Sequence, residues 1–395
     1  MEIESAAKQY LTITLSYWAF TLTDGALRML VLFFFHGLGY TPLELASLFI
    51  LYEFFGILTN LYGGWLATRI GLNTTLHIGL SLQILALGML TIAPSALTLG
   101  YVMVAQAVSG IAKDLNKMSA KSSIKLLVSD HQQEKLYRWV ARLTGSKNSL
   151  KGLGFFLGGF LMATLGFTTS LFILMGLLAF TLILSGLFLQ PQIITYKPKF
   201  IQTLSKSRNI NLLSAARFFL FGSRDIWFVV ALPVFLHSQL QWSHLQVGGF
   251  MACWVIGYGI VQALAPMLTH NNHQQTPNGS SLKTWATGLA GIPVLIACGL
   301  ILGLDPAAVL IIGLFIYGAI FAVNSSIHSF LIVAFSQRDS VTSDIGFYYM
   351  ANAGGRLFGT LLSGLIYQQQ GLIACLVVSS AMVIVSALFS AKLAR

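Results

Sequence analysis

Gly154-Phe-Phe-Leu-Gly-Gly-Phe-Leu-Met-Ala-Thr-Leu-Gly166 returns in outline as Gly359-Thr-Leu-Leu-Ser-Gly-Leu-Ile-Tyr-Gln-Gln-Gln-Gly371. The same offset places Lys151 on Arg356. Two fainter echoes keep nearly that spacing: Asp24 corresponds roughly to Asp225, and Ser122-Ser-Ile-Lys125 to Ser325-Ser-Ile-His328. Glycine and serine are common wherever membrane helices pack closely, so each match alone says little. A consistent offset over the whole set says more. It describes a chain built from two parallel halves.

What the halves are made of follows from composition. Of 395 residues, 56% are hydrophobic and only 9% are charged, against about 25% charged in an average soluble protein. Mean hydropathy is +0.77. These figures exclude a soluble enzyme, a disordered chain and a nucleic-acid module, and leave a polytopic membrane protein. A spanning helix needs about 20 largely apolar residues. Twelve such spans are expected, at 11–35, 44–67, 75–93, 97–118, 138–165, 168–189, 210–236, 245–269, 285–303, 307–335, 344–367 and 371–391. The polar linker 191–209 then separates an N-terminal six-helix bundle, 1–190, from a C-terminal one, 210–395. The start is polar, and the first apolar run is long and charged, unlike a signal peptide.

Orientation follows from the cations. The connections 36–44, 94–97, 166–170, 237–245, 303–306 and 367–371 contain no Lys or Arg. The connections on the other side hold Arg69, Lys121, Lys125, Lys135, Lys197, Lys199, Lys206, Arg208, Lys283, Arg338, Lys392 and Arg395. Positive residues stay inside, so both termini are expected in the cytoplasm. The net charge of +11 has the same origin.

Ionisable residues within the bilayer cost roughly 3 kcal/mol each at mid-helix and usually mark a pathway. Span 1 carries Asp24 and Arg28, span 2 Glu53, and span 4 Lys113 and Asp114. Span 5 carries Lys147, Asn148 and Lys151, span 7 Arg217, Arg224 and Asp225, and span 11 Arg356. At about 1.5 Å per residue, Lys151 lies roughly 20 Å into its span, too deep to snorkel to the interface. Lys117, Lys121 and Lys125 continue the four-residue spacing of Lys113 and read as a positive flank at the end of span 4. Asp24 and Arg28, one turn apart, read as an internal ion pair. Arg224 and Asp225 point about 100° apart, which makes a same-helix pair less natural. Arg28, Lys147, Lys151, Arg217, Arg224 and Arg356 outnumber Asp24, Glu53 and Asp225. A surplus of deep cations predicts an anionic substrate, because a guanidinium fork holds two carboxylate or phosphate oxygens at once. Arg28, Lys147, Lys151, Arg224, Arg356, Arg217, Lys113 and Asn148 are the candidate substrate ligands. Asp24, Glu53 and Asp225 are candidates for ion coupling or charge balance.

Other chemistry finds little footing. Cys253, Cys298 and Cys375 are scattered and form no disulfide framework or metal site. His270 and His273 share a polar loop without further ligands. No Gly-x-x-x-x-Gly-Lys-Ser/Thr phosphate loop occurs, so ATP bound by this chain is not the energy source. No nucleophile–base arrangement stands out, and no enzyme, metal or cofactor is expected. A sensor built on the same spans would carry a long soluble extension, and both tails are short.

Two parallel six-helix repeats resemble the major facilitator superfamily. Gly64-Trp-Leu-Ala-Thr-Arg69-Ile-Gly71 resembles its loop signature Gly-x-x-x-Asp-Arg-x-Gly, with Thr68 in place of the aspartate. Gly154-Phe-Phe-Leu-Gly158-Gly159 resembles the tail of its antiporter signature, with Phe155 in place of proline. That resemblance implies a central cavity lined by spans 1, 4, 5, 7, 10 and 11, on which the excess positive charge falls. Longer segments are similar to the ArsJ family of bacterial organoarsenical efflux permeases. They are Tyr17-Trp-Ala-Phe-Thr-Leu-Thr-Asp24-Gly-Ala-Leu-Arg28, Tyr52-Glu53-Phe-Phe-Gly56, Ser109-Gly-Ile-Ala-Lys113-Asp114-Leu-Asn116-Lys117 and Leu143-Thr-Gly-Ser-Lys147-Asn148.

The family resemblance implies export of 1-arseno-3-phosphoglycerate across a bacterial inner membrane, giving arsenate resistance by alternating access. It also implies a functional partnership with the glyceraldehyde-3-phosphate dehydrogenase that makes this ester. Trivalent arsenic would call for clustered thiolates. A pentavalent ester is an oxyanion at both ends and calls for cations instead. The alternative is a transporter of organic phosphates, phosphate or other organic anions, which the same cations would serve. The expected partners are this anionic solute and membrane lipid, with no nucleic acid and a monomeric assembly.

Overall fold

The computed structural model describes residues 2–40, 48–128, 131–189, 207–229, 231–242, 244–269, 276–337 and 340–393. Most of the linker 191–209, and His270 and His273, lie outside them. The described residues form helices joined by short turns, with no strand among them. In chain order the helices are α1 (Glu2–Gly37), α2 (Ile50–Ile70), α3 (Leu72–Met89), α4 (Leu99–Leu127), α5 (Gln133–Leu165) and α6 (Phe167–Phe188). There follow α7 (Arg208–Phe228), α8 (Ala231–Ser238), α9 (His244–Leu268), α10 (Gly279–Ile301), α11 (Pro306–Phe335) and α12 (Val341–Ser390).

Glycine sets two of the breaks. At Gly166 φ is 74° and ψ −179°, and this residue divides α5 from α6. Gly371, its repeat partner, has φ 76° and ψ −172° and divides α12 into spans 11 and 12. That region of backbone space is essentially open to glycine alone. The two quoted stretches therefore end on the same local conformation. α7 and α8 together cover the span expected at 210–236, and Val230 between them lies outside the described residues. The N–H of Ala231, which begins α8, donates to Ser363 Oγ at 3.1 Å.

α4 runs nine residues past its expected end at 118. Lys121 and Lys125 are only 2% and 4% exposed. The stripe read as a positive flank is therefore buried at these two positions. The lysines lie against protein, so the helix continues under them.

Among the described residues, seven helices are long and apolar enough to cross a membrane by composition alone: α1, α3, α6, α9, α10, α11 and α12. The long helices outside that set, α2, α4, α5 and α7, carry most of the candidate site cations.

The chain divides into two compact units. The first contains residues 1–132, 146–205 and 336–350. In it α3 and α2 pack on α4, and α1 and α3 pack on α6. Buried hydroxyls tie helix to helix: Ser119 Oγ donates to the Leu72 carbonyl at 2.7 Å, and Ser109 Oγ to Gln83 Oε1 at 2.8 Å. The second unit contains residues 133–145, 206–335 and 351–395. Its core is aromatic: Trp227 meets Tyr317 edge-on at 5.2 Å and Trp254 at 5.9 Å. The Trp254 indole donates to the Leu314 carbonyl at 2.7 Å. Ser379 and Ser386 donate to the carbonyls of Ser223 and Ala216 on α7, both at 2.7 Å. Interhelical hydrogen bonds of this kind suit a medium where water cannot serve as partner.

Candidate functional site

In each unit the first helix approaches the repeated glycine stretch at backbone distance. A Cβ on Gly154 of α5 would lie 2.6 Å from the Leu22 carbonyl oxygen of α1 and 3.1 Å from Gly25 Cα. A Cβ on Gly359 of α12 would lie 2.5 Å from the Gly222 carbonyl oxygen of α7. Only glycine allows such an approach. In the first unit the contact puts the Lys151 carbonyl against Gly25, one residue from Asp24. In the second it puts Arg356 close enough to bond Asp225.

The first unit carries a connected row of charges. The Arg28 guanidinium of α1 stands 3.6 Å from Glu53 of α2. Glu53 is also 3.9 Å from the Lys113 ammonium of α4, and Lys113 is 3.8 Å from Asp114. Lys117 donates to the other oxygen of Asp114. Aromatic faces underlie the row. Arg28 lies 4.9 Å from the rings of Phe49 and Tyr52, Lys113 3.9 Å from Tyr52, and Lys117 4.2 Å from Tyr349. Lys121 donates to the Tyr349 hydroxyl. Asp24, read from sequence as the partner of Arg28, accepts a hydrogen bond from the Tyr52 hydroxyl at 2.7 Å. Arg28 instead has Glu53 beside it.

The row is neither sealed nor fully open. Side-chain exposure is 25% at Arg28, 30% at Glu53 and 21% at Lys113, while Asp114 is 2% exposed. Lys147, Asn148 and Lys151 stand on α5, part-buried. The Lys151 ammonium is 5.9 Å from the Phe155 ring.

The second unit gathers two arginines, Arg224 and Arg356, around one carboxylate. Asp225 of α7 is fully buried. Arg224 Nε donates to Asp225 Oδ1 at 2.6 Å, and Arg356 Nε donates to Oδ2 at 3.1 Å. Arg224 and Asp225 do pair, although residues 100° apart on one helix make such a pair less natural. The long guanidinium stem curls back across the helix surface, over the rings of Phe221, Phe228 and Phe321. Arg217 is held among neutral groups. It donates to Asn352 Oδ1 at 2.8 Å and to Ser325 Oγ at 3.0 Å, and its guanidinium lies 3.7 Å from the Phe221 ring. Ser325 also accepts from Tyr258 and Gln262, at 3.0 and 3.2 Å.

Sequence reading missed Asp114 as a hub, and it missed the aromatic platforms Tyr52, Phe49, Tyr349 and Phe221. Tyr52 adjoins Glu53, and an aromatic beside an intramembrane acid was the available signal. The Ser325 echo of Ser122 was quoted above without a role; Ser325 proves to be the joint that holds Arg217. What such an arrangement can do chemically is hold anions. Cations stacked on rings are partly desolvated but still reachable, so oxyanion oxygens bind them more strongly than in water.

The sequence pattern of the Major Facilitator Superfamily matches residues 13–360. No curated protein matches the chain significantly. Among solved structures, the human organic anion transporter MFSD10 is similar, with 17% identity and a TM-score of 0.73 over 98% of this chain and 99% of that one. The transporter FucP in its outward conformation has 11% identity and a TM-score of 0.76 over 98% of both chains. A bacterial homologue of the iron transporter ferroportin, outward-facing, has 15% identity and a TM-score of 0.76 over 97% of this chain and 98% of that one. At these identities the likeness concerns the fold.

Proposed function

The chain belongs to the major facilitator superfamily and is a multi-pass membrane protein with the secondary-transporter fold, and from that premise we propose that it exports an organic anion. The observation that supports this reading is the row Arg28–Glu53–Lys113–Asp114–Lys117, half-open among long apolar helices and backed by aromatic faces. Cations left partly reachable suit a solute that arrives, binds and leaves.

The substrate we favour is 1-arseno-3-phosphoglycerate, the ester implied by the resemblance in the N-terminal half. Its arsenate and phosphate ends need two cationic places. Arg28, Lys113, Lys147 and Lys151, with Asn148, supply one set. Arg217, Arg224 and Arg356 supply the other. Asp24, Glu53 and Asp225 balance charge when the solute is absent. All three cysteines lie outside the N-terminal half, in keeping with oxyanion rather than thiolate recognition of arsenic. On this reading the six-helix halves 1–190 and 210–395 work by alternating access in a bacterial inner membrane, with both termini cytoplasmic. A glyceraldehyde-3-phosphate dehydrogenase supplies the substrate.

The test is uptake of labelled arsenate into everted vesicles containing the protein. Arsenate alone is compared with arsenate plus glyceraldehyde-3-phosphate, NAD and the dehydrogenase. Uptake only in the complete mixture supports the ester. Uptake that ignores the dehydrogenase removes the ester from consideration. The cations would then be tested by exchange of organic phosphates, the reading in keeping with the organic-anion transporter of similar fold.

A further inference from the structure

The start of α5 and the end of α9 enclose a cavity of about 440 Å³ that plays no part in the site above. Arg138 and Arg142 line one side, one helical turn apart, together with Tyr137. Pro266, Met267 and Thr269 line the other. All belong to the second unit.

The seat is preformed. A Cβ on Gly145 would lie 2.4 Å from the Ala263 nitrogen, so the two helices touch backbone to backbone below the cavity. At its rim the hydroxyls of Tyr137 and Thr269 are hydrogen-bonded at 3.1 Å. Glu134 pairs with Arg138, both about half exposed, and exposed pairs of this type are weak. Among the residues lining the cavity, two arginines accompany one glutamate. Beside the arginines, the Lys135 ammonium sits 4.8 Å from the Trp139 ring. Tryptophan with basic neighbours marks the level where a membrane meets water.

Below that level α9 presents Ile260, Leu264 and Met267, 51%, 45% and 74% exposed. Spaced by four and three, they form one outward apolar stripe. A cationic pocket at the interface, continuous with an apolar stripe, complements a molecule with a phosphate head and hydrocarbon tails. A soluble phosphate would use the arginines and leave the stripe without a role.

We propose that this cavity holds the headgroup phosphate of an anionic phospholipid, bound by Arg138 and Arg142, with its acyl chains along Ile260, Leu264 and Met267. The inference is independent of the transported solute.

The experiment is thermal unfolding of the purified full-length protein in neutral detergent. Phosphatidylglycerol, phosphatidylcholine with the same acyl chains, and inorganic phosphate are added in separate arms. Phosphatidylglycerol is expected to raise the midpoint by several degrees, and the other two to leave it nearly unchanged. In the Arg138→Gln/Arg142→Gln variant the shift should fall by at least half, while Lys392→Gln keeps it. Leu264→Asn, which leaves both arginines in place, should weaken the response as well and guards against a double variant that folds poorly. An equal shift with phosphatidylcholine, an equal shift with inorganic phosphate, or a full shift in the double variant would each overturn the proposal.

Discussion

Asp225 and Glu53 are both intramembrane acids between cations, yet their surroundings differ in kind. Asp225 is fully buried and takes one guanidinium on each oxygen. Asp225→Asn would leave Arg224 and Arg356 facing each other without a counter-charge. Losing one partner of a buried pair costs about 3–5 kcal/mol. The expected outcome is a clear drop in unfolding temperature and in inserted protein. Glu53 is 30% exposed, with Arg28 at 3.6 Å and Lys113 at 3.9 Å. Glu53→Gln should cost less than about 1 kcal/mol and change transport kinetics rather than stability. If both variants unfold alike, the distinction drawn between the two acids is wrong.

Arg28 offers a test of substrate contact at the same scale. Arg28→Lys keeps the charge and loses the fork, and loss of about 1.4 kcal/mol would raise KM tenfold. An unchanged KM would remove Arg28 from the substrate. That Arg28 is a deep cation was readable from its place in an apolar run. Its pairing with Glu53 was not, because a one-turn neighbour at Asp24 is the natural guess until α2 is placed beside α1.

Helix-level packing rests on glycines that look interchangeable in the sequence and are not. Gly158 and Gly159 are adjacent on α5. A Cβ at Gly158 would lie 2.4 Å from the Ala26 carbonyl oxygen, whereas at Gly159 the nearest atom is 3.5 Å away, on the Phe33 ring. Gly158→Ala should therefore force α1 and α5 apart, at a cost of about 1–3 kcal/mol, while Gly159→Ala is nearly silent. Thermal unfolding of the two variants in one detergent decides this. Gly371 makes a different demand. Nothing lies within 4 Å of a Cβ there, but φ is +76°. Gly371→Ala should still destabilise, by about 1–3 kcal/mol, through backbone strain alone. A neutral Gly371→Ala would mean that the turn relaxes.

Element ends show where periodicity stops being informative. The breaks at Gly166 and Gly371 were visible as glycine closing an apolar run. The extension of α4 through Lys121 and Lys125 was not, since a lysine row at the end of an apolar run reads as a flank until another helix covers it. Tyr349 of α12 does part of the covering. Its ring and hydroxyl can be separated experimentally. Tyr349→Phe should cost about 1 kcal/mol by removing the hydrogen bond, and Tyr349→Leu should cost more by also removing the ring under Lys117 and Lys121. Equal melting of the two variants would mean that the cation–ring contact contributes nothing.

For the molecule as a whole, an exported anion makes transport electrogenic. A potential of 100 mV acts on each net charge with about 2.3 kcal/mol. Uptake into everted vesicles should therefore fall severalfold when the potential is collapsed with the pH gradient held. Loss of uptake on collapsing the pH gradient alone would instead point to proton exchange.

The sequence by itself determined the membrane class and the internal repeat, because hydropathy and glycine spacing are local and the bilayer imposes one length on every span. It also determined which residues are charged at depth. Only the tertiary structure decided which charges share a partner, which glycines touch a neighbouring helix, and which lysines are buried. Those are relations between side chains far apart in the chain, and the direction each helix faces is set by what packs against it.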